Sequence, residues 1–136
     1  MPTIANAAYF GTTGSLTVES DDYTAAVTSC ALVPTAPTAS TTDIGGGITQ
    51  FVGANAWVAQ IGYNQDWKTT GSFSQKLIEW HGQTKTFTYT PDDGGQVATF
   101  TARVLAGQFG GAASTIHAAT VNLPINDQPT FAPAGA

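Results

Sequence analysis

The chain of 136 residues is poor in the side chains that most often carry chemistry. Cys30 is its single cysteine, so no disulfide can form within the chain and one thiolate cannot build a metal site. Neither His81 nor His117 has a second His or Cys at the spacing of metal ligands. No nucleophile elbow, zinc-protease motif or phosphate loop is present. We therefore expect no catalytic activity, no metal and no cofactor.

Charge is equally scarce, because only 10% of the residues are charged and the net charge is −5. The polar surface must then consist mainly of Thr, Ser, Asn, Gln and Gly. The basic residues do not cluster along the chain, which argues against a surface that binds nucleic acid. They are Lys68, Lys76, Lys85 and Arg103.

No apolar run approaches the roughly 18 residues of a membrane-spanning helix, so we expect no insertion into a membrane. The N-terminal residues lack the basic region and the apolar segment of a secretory signal peptide. The chain is therefore expected to be intracellular when it is made. Its length and its apolar fraction of 42% predict one domain, residues 1–136, with a real core.

Residues 72–82 form the clearest helix signal. Ser72 and Gln75 have the spacing of a capping box, and Gly82 suits the left-handed position after the last turn. Three apolar residues between these caps recur at helical spacing and predict one buried stripe. They are Phe73, Leu77 and Trp80.

The segments 84–90 and 97–106 alternate between apolar and polar residues, which is the pattern of two half-buried strands. Residues 91–95, with one proline and two glycines, supply the turn between them. This pattern predicts a hairpin with an aromatic face that meets the helix and a hydroxyl-rich face that meets water. The central hydroxyl-rich positions are Thr86, Thr88, Thr99 and Thr101.

Further strands are expected near residues 15–19, 25–33, 56–66 and 114–123. The second of these is apolar on both sides, which suggests burial of both faces. An N-terminal arm is expected over residues 1–14, around Tyr9 and Phe10, and a C-terminal arm over 124–136, because Pro124 should end the last strand. The predicted fold class is therefore mainly β, an antiparallel sandwich or open barrel with one short helix.

Residues 34–55 are rich in Pro, Thr, Ser and Gly and are predicted to form one long loop. A long loop inside a compact domain is usually functional or bound to a partner. Apolar residues within it, together with one in the C-terminal arm, predict a contact surface between subunits. These residues are Ile44, Ile48, Phe51, Val52 and Phe131.

Two features allow other functions. Trp57, Trp67 and Trp80 could form a platform that stacks on sugars, although positions on strand and helix stripes favour the core. Adjacent aspartates at 21–22 and 92–93 lie in turn sequences, which favours solvated turn residues over acid–base catalysts. A monomeric immunoglobulin-like or carbohydrate-binding adhesion module thus stays open as an alternative.

The order of motifs over residues 56–131 resembles the major tail tube proteins of long-tailed bacteriophages, particularly siphophages that infect actinobacteria. A strand ends in a Gln-Asp-Trp sequence, a Gly-Ser-Phe sequence opens the helix, and a Thr-rich hairpin, a glycine pair and a strand ending Asn-Leu-Pro follow. These motifs are Gln65–Trp67, Gly71–Phe73, Thr86–Pro91, Phe100–Val104, Gly110–Gly111 and Asn122–Pro124.

This resemblance implies a tail-tube fold whose hexameric rings stack into a hollow tube. It implies a structural protein of the virion tail, assembled in the host cytoplasm, that contacts other copies of itself, the tape measure protein and the distal tail and tail terminator proteins. DNA would pass through the tube without specific binding, and Thr86, Thr88, Thr99 and Thr101 would face the lumen. Another virion part of the same fold, such as a distal tail ring or a tail terminator, is a second alternative.

Overall fold

A computed structural model describes residues 2–6, 8, 13–92 and 95–133 of the chain. Within these ranges the chain forms nine strands and one short helix, more strands than the six that the sequence indicated. The aromatic pair Tyr9 and Phe10 of the expected N-terminal arm lies outside the described residues. The strands are β1 (Ser15–Val18), β2 (Asp21–Asp22), β3 (Val27–Thr35), β4 (Thr38–Thr42), β5 (Ile48–Val52), β6 (Ala56–Asn64), β7 (Thr84–Thr90), β8 (Val97–Arg103) and β9 (Ala118–Ala132), and the helix is α1 (Phe73–Glu79).

Seven of these strands form one antiparallel sheet in the order β2-β1-β7-β8-β9-β6-β3, and β4 and β5 pair only with each other. The sheet folds over itself, so the apolar faces of its two halves share one core. Phe87 and Phe100 come from one half, and Ile61, Tyr63 and Leu123 from the other. The predicted fold class is confirmed as mainly β, with antiparallel strands and one short helix, and β2 and β3 are its unclosed edges.

The predicted hairpin of β7 and β8 is present and lies at the centre of one half of the sheet. Phe87 is directly opposite Phe100, and their rings stack at 5.3 Å between centroids. Both side chains are buried, as the alternating pattern requires. Lys85 projects on the same side of β7 as Phe87, and its ammonium group lies 5.1 Å from the centre of the Trp80 ring.

The helix buries the predicted stripe against this core. Phe73 and Leu77 are buried, whereas Trp80 is half-buried. The ring of Phe73 packs edge-on against Tyr63 at 5.2 Å and at a tilt against Tyr23 at 5.5 Å. The helix therefore also contacts residues outside the hairpin that was expected to be its partner.

The predicted capping box at the start of the helix is wrong. The Ser72 hydroxyl donates to the backbone carbonyl of Asp66 at 2.5 Å instead of capping the first turn. The Gln75 side chain accepts from the Gly71 N–H at 3.3 Å, one residue before the position that a capping box requires. Gly82 does adopt the expected left-handed conformation, with φ +83°.

The expected burial of both faces of β3 is also wrong, because only one face of this strand packs against the core. Cys30 and Leu32 face the core and are half-buried, whereas Ala31 and Val33 are exposed. Alternate residues of a strand point to opposite faces, so the apolar residues on the outer face of β3 stay exposed.

The last strand does not end at Pro124, and no C-terminal arm begins there. β9 continues to Ala132 because it changes partner at this point. Pro124 is opposite Val58 of β6, whereas the next residue, Ile125, is opposite Ala102 of β8. The first strand residue is Ala118, four residues later than the sequence indicated.

A bulge after this change of partner lets β9 curve along β8. The register shifts between Thr99 and Thr101, and Asp127 has a left-handed backbone with φ +60°. Bulges of this kind bend a strand and increase its twist. The curved end brings Phe131 back to Trp57 at the start of β6, with the two ring centroids 5.9 Å apart.

Candidate assembly surfaces

Residues 34–55, predicted as a loop, instead contain the hairpin of β4 and β5. Thr38 is opposite Val52 and Thr42 is opposite Ile48 in a regular antiparallel register. At the tip, the Asp43 carboxylate accepts from the Gly47 N–H at 2.8 Å. The prediction failed because Thr and Ser fill positions where strands more often carry large apolar residues, so alternation is weak. We call this element the projecting hairpin.

The projecting hairpin is exposed along both strands and on both faces. Ile48 and Val52 share one face, and Phe51 lies on the other. Val52 is 74% exposed and Phe51 is 54% exposed. Among the described residues, no other strand pairs with this hairpin. A two-stranded hairpin without packing is marginal in water, and exposed apolar residues in such an element are typical of contact surfaces.

The fifth residue of the predicted contact surface, Phe131, lies near the base of the projecting hairpin. Its side chain is half exposed and packs against Trp57, which is opposite Pro34. A mainly apolar cleft of about 420 Å³ opens beside these residues. Its lining includes Leu32, Pro34, Trp57, Ala98 and Phe131. The structure therefore brings Phe131 near the hairpin stem, while Ile44 lies at the hairpin tip.

The four threonines predicted to line a lumen share one face of the sheet. Thr88 is opposite Thr99, and Thr86 is opposite Thr101. Thr99 is exposed and the other three are half-exposed. The neighbouring strands β1 and β9 each place a further threonine beside the Thr88–Thr99 pair. The result is a row of threonines across β1, β7, β8 and β9. The row consists of Thr17, Thr88, Thr99 and Thr130.

Few charges accompany this threonine face. Lys85 is on the opposite side, over Trp80, as expected. Arg103 is exposed and donates from Nη1 to the Gly82 carbonyl at 3.1 Å, at the end of β8. The face therefore carries mainly hydroxyl groups and no cluster of basic side chains among its described residues.

A second exposed apolar surface, which the sequence analysis missed, lies in the loop between β8 and β9. The ring of Phe109 packs against Trp67 with centroids 4.4 Å apart. Phe109 is nevertheless 73% exposed, and Ile116 in the same loop is 81% exposed. We call Trp67, Phe109 and Ile116 the loop-end surface. Two large apolar residues within an uncharged stretch of Gly, Ala, Ser and Thr were the signal available in the sequence.

Hydrogen bonds from one glutamine hold this loop in place. Gln65 donates from Nε2 to the Gly110 carbonyl at 3.1 Å and accepts from the Gly110 N–H at 2.8 Å. Its Oε1 atom also accepts from the Trp67 indole N–H at 2.9 Å. At the other end of the loop, the backbone N–H of Gln65 donates to the His117 carbonyl at 2.7 Å. The loop-end surface is thus supported by a defined polar network.

The cysteine and the described acidic residues do not converge on one cluster. Burial raises the pKa of the Cys30 thiol to about 12, so it stays protonated near neutral pH. Cys30 lines a cleft of about 430 Å³ between β1 and β3 whose other lining residues include Ser15, Thr28 and Tyr89. Among residues 13–92 and 95–133, no group of three acidic, His or Cys side chains could hold a metal ion. No helix in that part of the chain is long and apolar enough to cross a membrane.

No protein-family model matches the chain, and no curated protein sequence does either. Among solved structures, the fold is similar to a chain in a cryo-EM structure of an extracellular contractile injection system, described as the PVC sheath/tube terminator in the extended state. The two chains superpose with a TM-score of 0.64 and share 13% identity, and the alignment covers 95% of this chain and 99% of the other. The likeness shows a shared fold over almost the entire length of both chains.

Proposed function

We propose that this protein is a structural component of a phage-tail-like particle and acts by assembling with copies of itself. The observation that carries the proposal is the projecting hairpin, whose apolar residues are exposed on both faces and which pairs with no other strand among the described residues. Apolar surface of this kind is buried in an interface when a protein assembles. The similarity of the fold to a terminator of an injection system supports the same class of function.

In its specific form, the proposal is a tail tube subunit. Six copies would form a ring, and rings would stack into a hollow tube that delivers genomic DNA. The threonine row spans four strands of each subunit. Six subunits would then give about 24 strands, which at ~4.8 Å per strand and a tilt near 40° enclose a backbone diameter of roughly 45–50 Å. A duplex fits such a channel.

The threonine face suits the lumen of that tube. DNA that must move should meet a wall without clustered Lys or Arg, because phosphate contacts hold DNA in place. The hydroxyl groups of Thr86, Thr88, Thr99 and Thr101 provide such a wall, and the net charge of −5 adds no attraction. No enzymatic step is needed for this function.

A tail terminator is the second candidate, and the similarity to a sheath/tube terminator favours it. A terminator forms a ring that caps a tube, whereas a tube subunit stacks without limit. In either case the expected partners are other tail proteins, namely the tape measure, distal tail and terminator or tube proteins. The location would be the virion or a related injection particle.

Negative-stain electron microscopy of the purified protein over a concentration series, with mass from light scattering, tests the proposal. Hollow tubes or long stacks are expected for a tube subunit, and single six-fold rings for a terminator. A monodisperse monomer at every concentration would contradict self-assembly. In that case an adhesion module becomes the better hypothesis, and screening against immobilised glycans would test it.

A further inference from the structure

We propose that the loop-end surface of one copy is the docking site for the projecting hairpin of the next copy. This inference rests on the proposed function, because it assumes that copies of the chain assemble. It adds the particular pair of surfaces that meet. On one side are Trp67, Phe109 and Ile116, and on the other Ile48, Phe51 and Val52.

The two surfaces lie at opposite ends of one strand. The projecting hairpin leads directly into Ala56, the first residue of β6. Asn64, the last residue of β6, is opposite Ala118 and precedes Gln65, which holds the loop. Nine residues of strand separate the ends by about 26 Å at ~3.3 Å for each of eight steps. The hairpin therefore emerges at the end of β6 away from the loop, which favours a contact with a second copy.

The chemistry of the two surfaces is matched. Residues 104–117 contain no Asp, Glu, Lys or Arg, and residues 34–55 contain one charged side chain, that of Asp43. An interface between the two surfaces would consequently desolvate few charged side chains. Each side contributes one exposed aromatic ring and at least one β-branched residue, as Phe109 with Ile116 and Phe51 with Ile48. Apolar contacts of this kind form the centre of protein interfaces.

The loop-end surface is also preorganised for binding. Gln65 fixes Gly110 through two hydrogen bonds, and the packing of Trp67 on Phe109 orients the exposed ring. A surface that is already ordered loses little conformational entropy when a partner arrives. The projecting hairpin, whose strand residues are all exposed in the subunit, then buries its apolar side chains against this surface.

The contact is heterologous, because two different surfaces of the same chain meet. A heterologous contact leaves one copy of each surface free at the two ends of a dimer, so assembly continues into a closed ring or an open filament. The pairing thereby supplies a physical reason for polymerisation without a further protein.

Disulfide trapping between separately substituted variants tests the pairing directly. All proteins carry Cys30→Ala so that the native thiol does not react. An equal mixture of Ile48→Cys and Ile116→Cys variants is oxidised at an assembling concentration, and covalent dimers are measured by non-reducing electrophoresis. The matched control replaces Ile116→Cys by Ile78→Cys, because Ile78 is also exposed but lies on α1.

We expect covalent dimers in the first mixture at least tenfold faster than in the control mixture or in either variant alone. Equal rates in the two mixtures, or crosslinking of Ile48→Cys mainly to itself, would overturn the pairing. Light scattering on the same samples distinguishes failure of the proposed pairing from failure of self-assembly. Polymers without the expected crosslink contradict this pairing alone, whereas the absence of polymers contradicts the proposed function as well.

A second set of variants avoids cysteine chemistry. Because Ile116 is exposed in the subunit, Ile116→Ser should fold normally, with a thermal unfolding midpoint close to that of the unchanged protein. It should raise the concentration needed for assembly by about 10- to 100-fold, the ratio expected when one large apolar contact is lost. Ile78→Ser should change that concentration less than about twofold. Equal effects of both variants would be inconsistent with the proposed docking site.

Discussion

The chain contains two antiparallel hairpins that have the same topology and opposite surroundings. The β7–β8 hairpin buries Phe87 and Phe100 in the core and pairs on both sides with other strands. The projecting hairpin of β4 and β5 has five cross-strand pairs, and all ten of its strand residues are exposed. Backbone pairing is therefore common to both, whereas packing is confined to the first.

This difference separates two contributions that are usually found together. Cross-strand hydrogen bonds fix the register of a hairpin, but they add little net stability because water offers the same bonds to the unfolded chain. Burial of apolar surface supplies most of the free energy of folding. The β7–β8 hairpin is consequently part of the packed core, whereas the projecting hairpin contributes no buried apolar residue to it.

Hydrogen exchange should show the largest difference between the two hairpins. In the monomer, amides in β7 and β8 should exchange only through opening that approaches global unfolding, a free energy of about 5 kcal/mol or more. Amides in β4 and β5 should open locally and exchange orders of magnitude faster. Mass spectrometry of peptides from the two regions measures this, at a concentration where light scattering shows monomer.

The same experiment on assembled material sharpens the comparison. Protection of residues 38–52 should rise strongly in the assembly, because the apolar side chains of that hairpin are then covered. Equal protection of both hairpins already in the monomer would show that the projecting hairpin is stable without a partner.

Truncation of one aromatic ring in each hairpin should give the next largest effect. Phe87→Ala removes a fully buried ring that stacks on Phe100, and the expected loss of stability is about 3–5 kcal/mol. Phe51→Ala, in the exposed hairpin, should change the stability of the monomer by less than about 0.5 kcal/mol. Urea denaturation of both variants at low protein concentration makes the comparison, and similar losses would contradict the assignment of only one hairpin to the core.

The sequence was sufficient for the packed part of the molecule because that part obeys simple periodicities. Alternation over 84–103 predicted which residues of β7 and β8 face the core, and helical spacing predicted the burial of Phe73 and Leu77. Both patterns record burial against a neighbouring element. Such a pattern predicts which residues are buried even when the element that covers them is unknown.

The remaining elements depend on tertiary context that one sequence does not encode locally. In β4 and β5 the alternation is weak because neither face meets a core, so composition favoured a loop. In β9 the strand passes through Pro124 because its pairing changes from β6 to β8 there. The loop-end surface likewise depends on Gln65 meeting Gly110 from 45 residues away. The predicted contact residues are exposed, and the four threonines share one face of the sheet. Their roles in an interface and in a lumen remain predictions.

Two glycines extend the comparison, because Gly107 packs against the buried Tyr63 and Gly45 lies in the exposed projecting hairpin. A methyl group added at Gly107 would lie 1.8 Å from the hydroxyl oxygen of Tyr63, a side chain that is buried and packed against Phe73. Gly107→Ala should therefore destabilise the protein by about 1–3 kcal/mol through overpacking. A methyl group added at Gly45, near the tip of the projecting hairpin, would lie 3.4 Å from a carboxylate oxygen of Asp43, which is an ordinary contact. Gly45→Ala should therefore be close to neutral.

Thermal unfolding of the two glycine variants provides the measurement. Tyr63→Phe in the Gly107→Ala background is the informative control, because it removes the clashing oxygen and should restore part of the lost stability. If Gly107→Ala proved neutral, the close approach of the 104–117 loop to β6 would be wrong.

The smallest expected effect concerns two carboxylates in turns, Asp22 beside the packed strand β1 and Asp43 at the tip of the projecting hairpin. Asp22 accepts hydrogen bonds from the hydroxyl and the backbone N–H of Thr24, and these bonds lower the pKa of Asp22, the hydroxyl contributing most. The Thr24 hydroxyl oxygen in turn accepts from the Leu16 N–H at 3.1 Å, so the contact is coupled to the packed strand β1. Asp43 makes a similar contact to Gly47, but in the projecting hairpin.

A carboxylate with a lowered pKa in the folded state adds stability that is fully present above its unfolded pKa and is lost as the pH falls through the folded value. Asp22→Asn should consequently reduce stability near neutral pH, by less than about 1 kcal/mol because the group is exposed to solvent. The difference from the unchanged protein should shrink below about pH 4. Asp43→Asn should leave global stability unchanged, since its hairpin contributes no residue to the core. Urea denaturation of both variants across this pH range checks the contrast, and a pH-independent loss in Asp22→Asn would show that geometry at the turn, rather than the ionised carboxylate, stabilises β1.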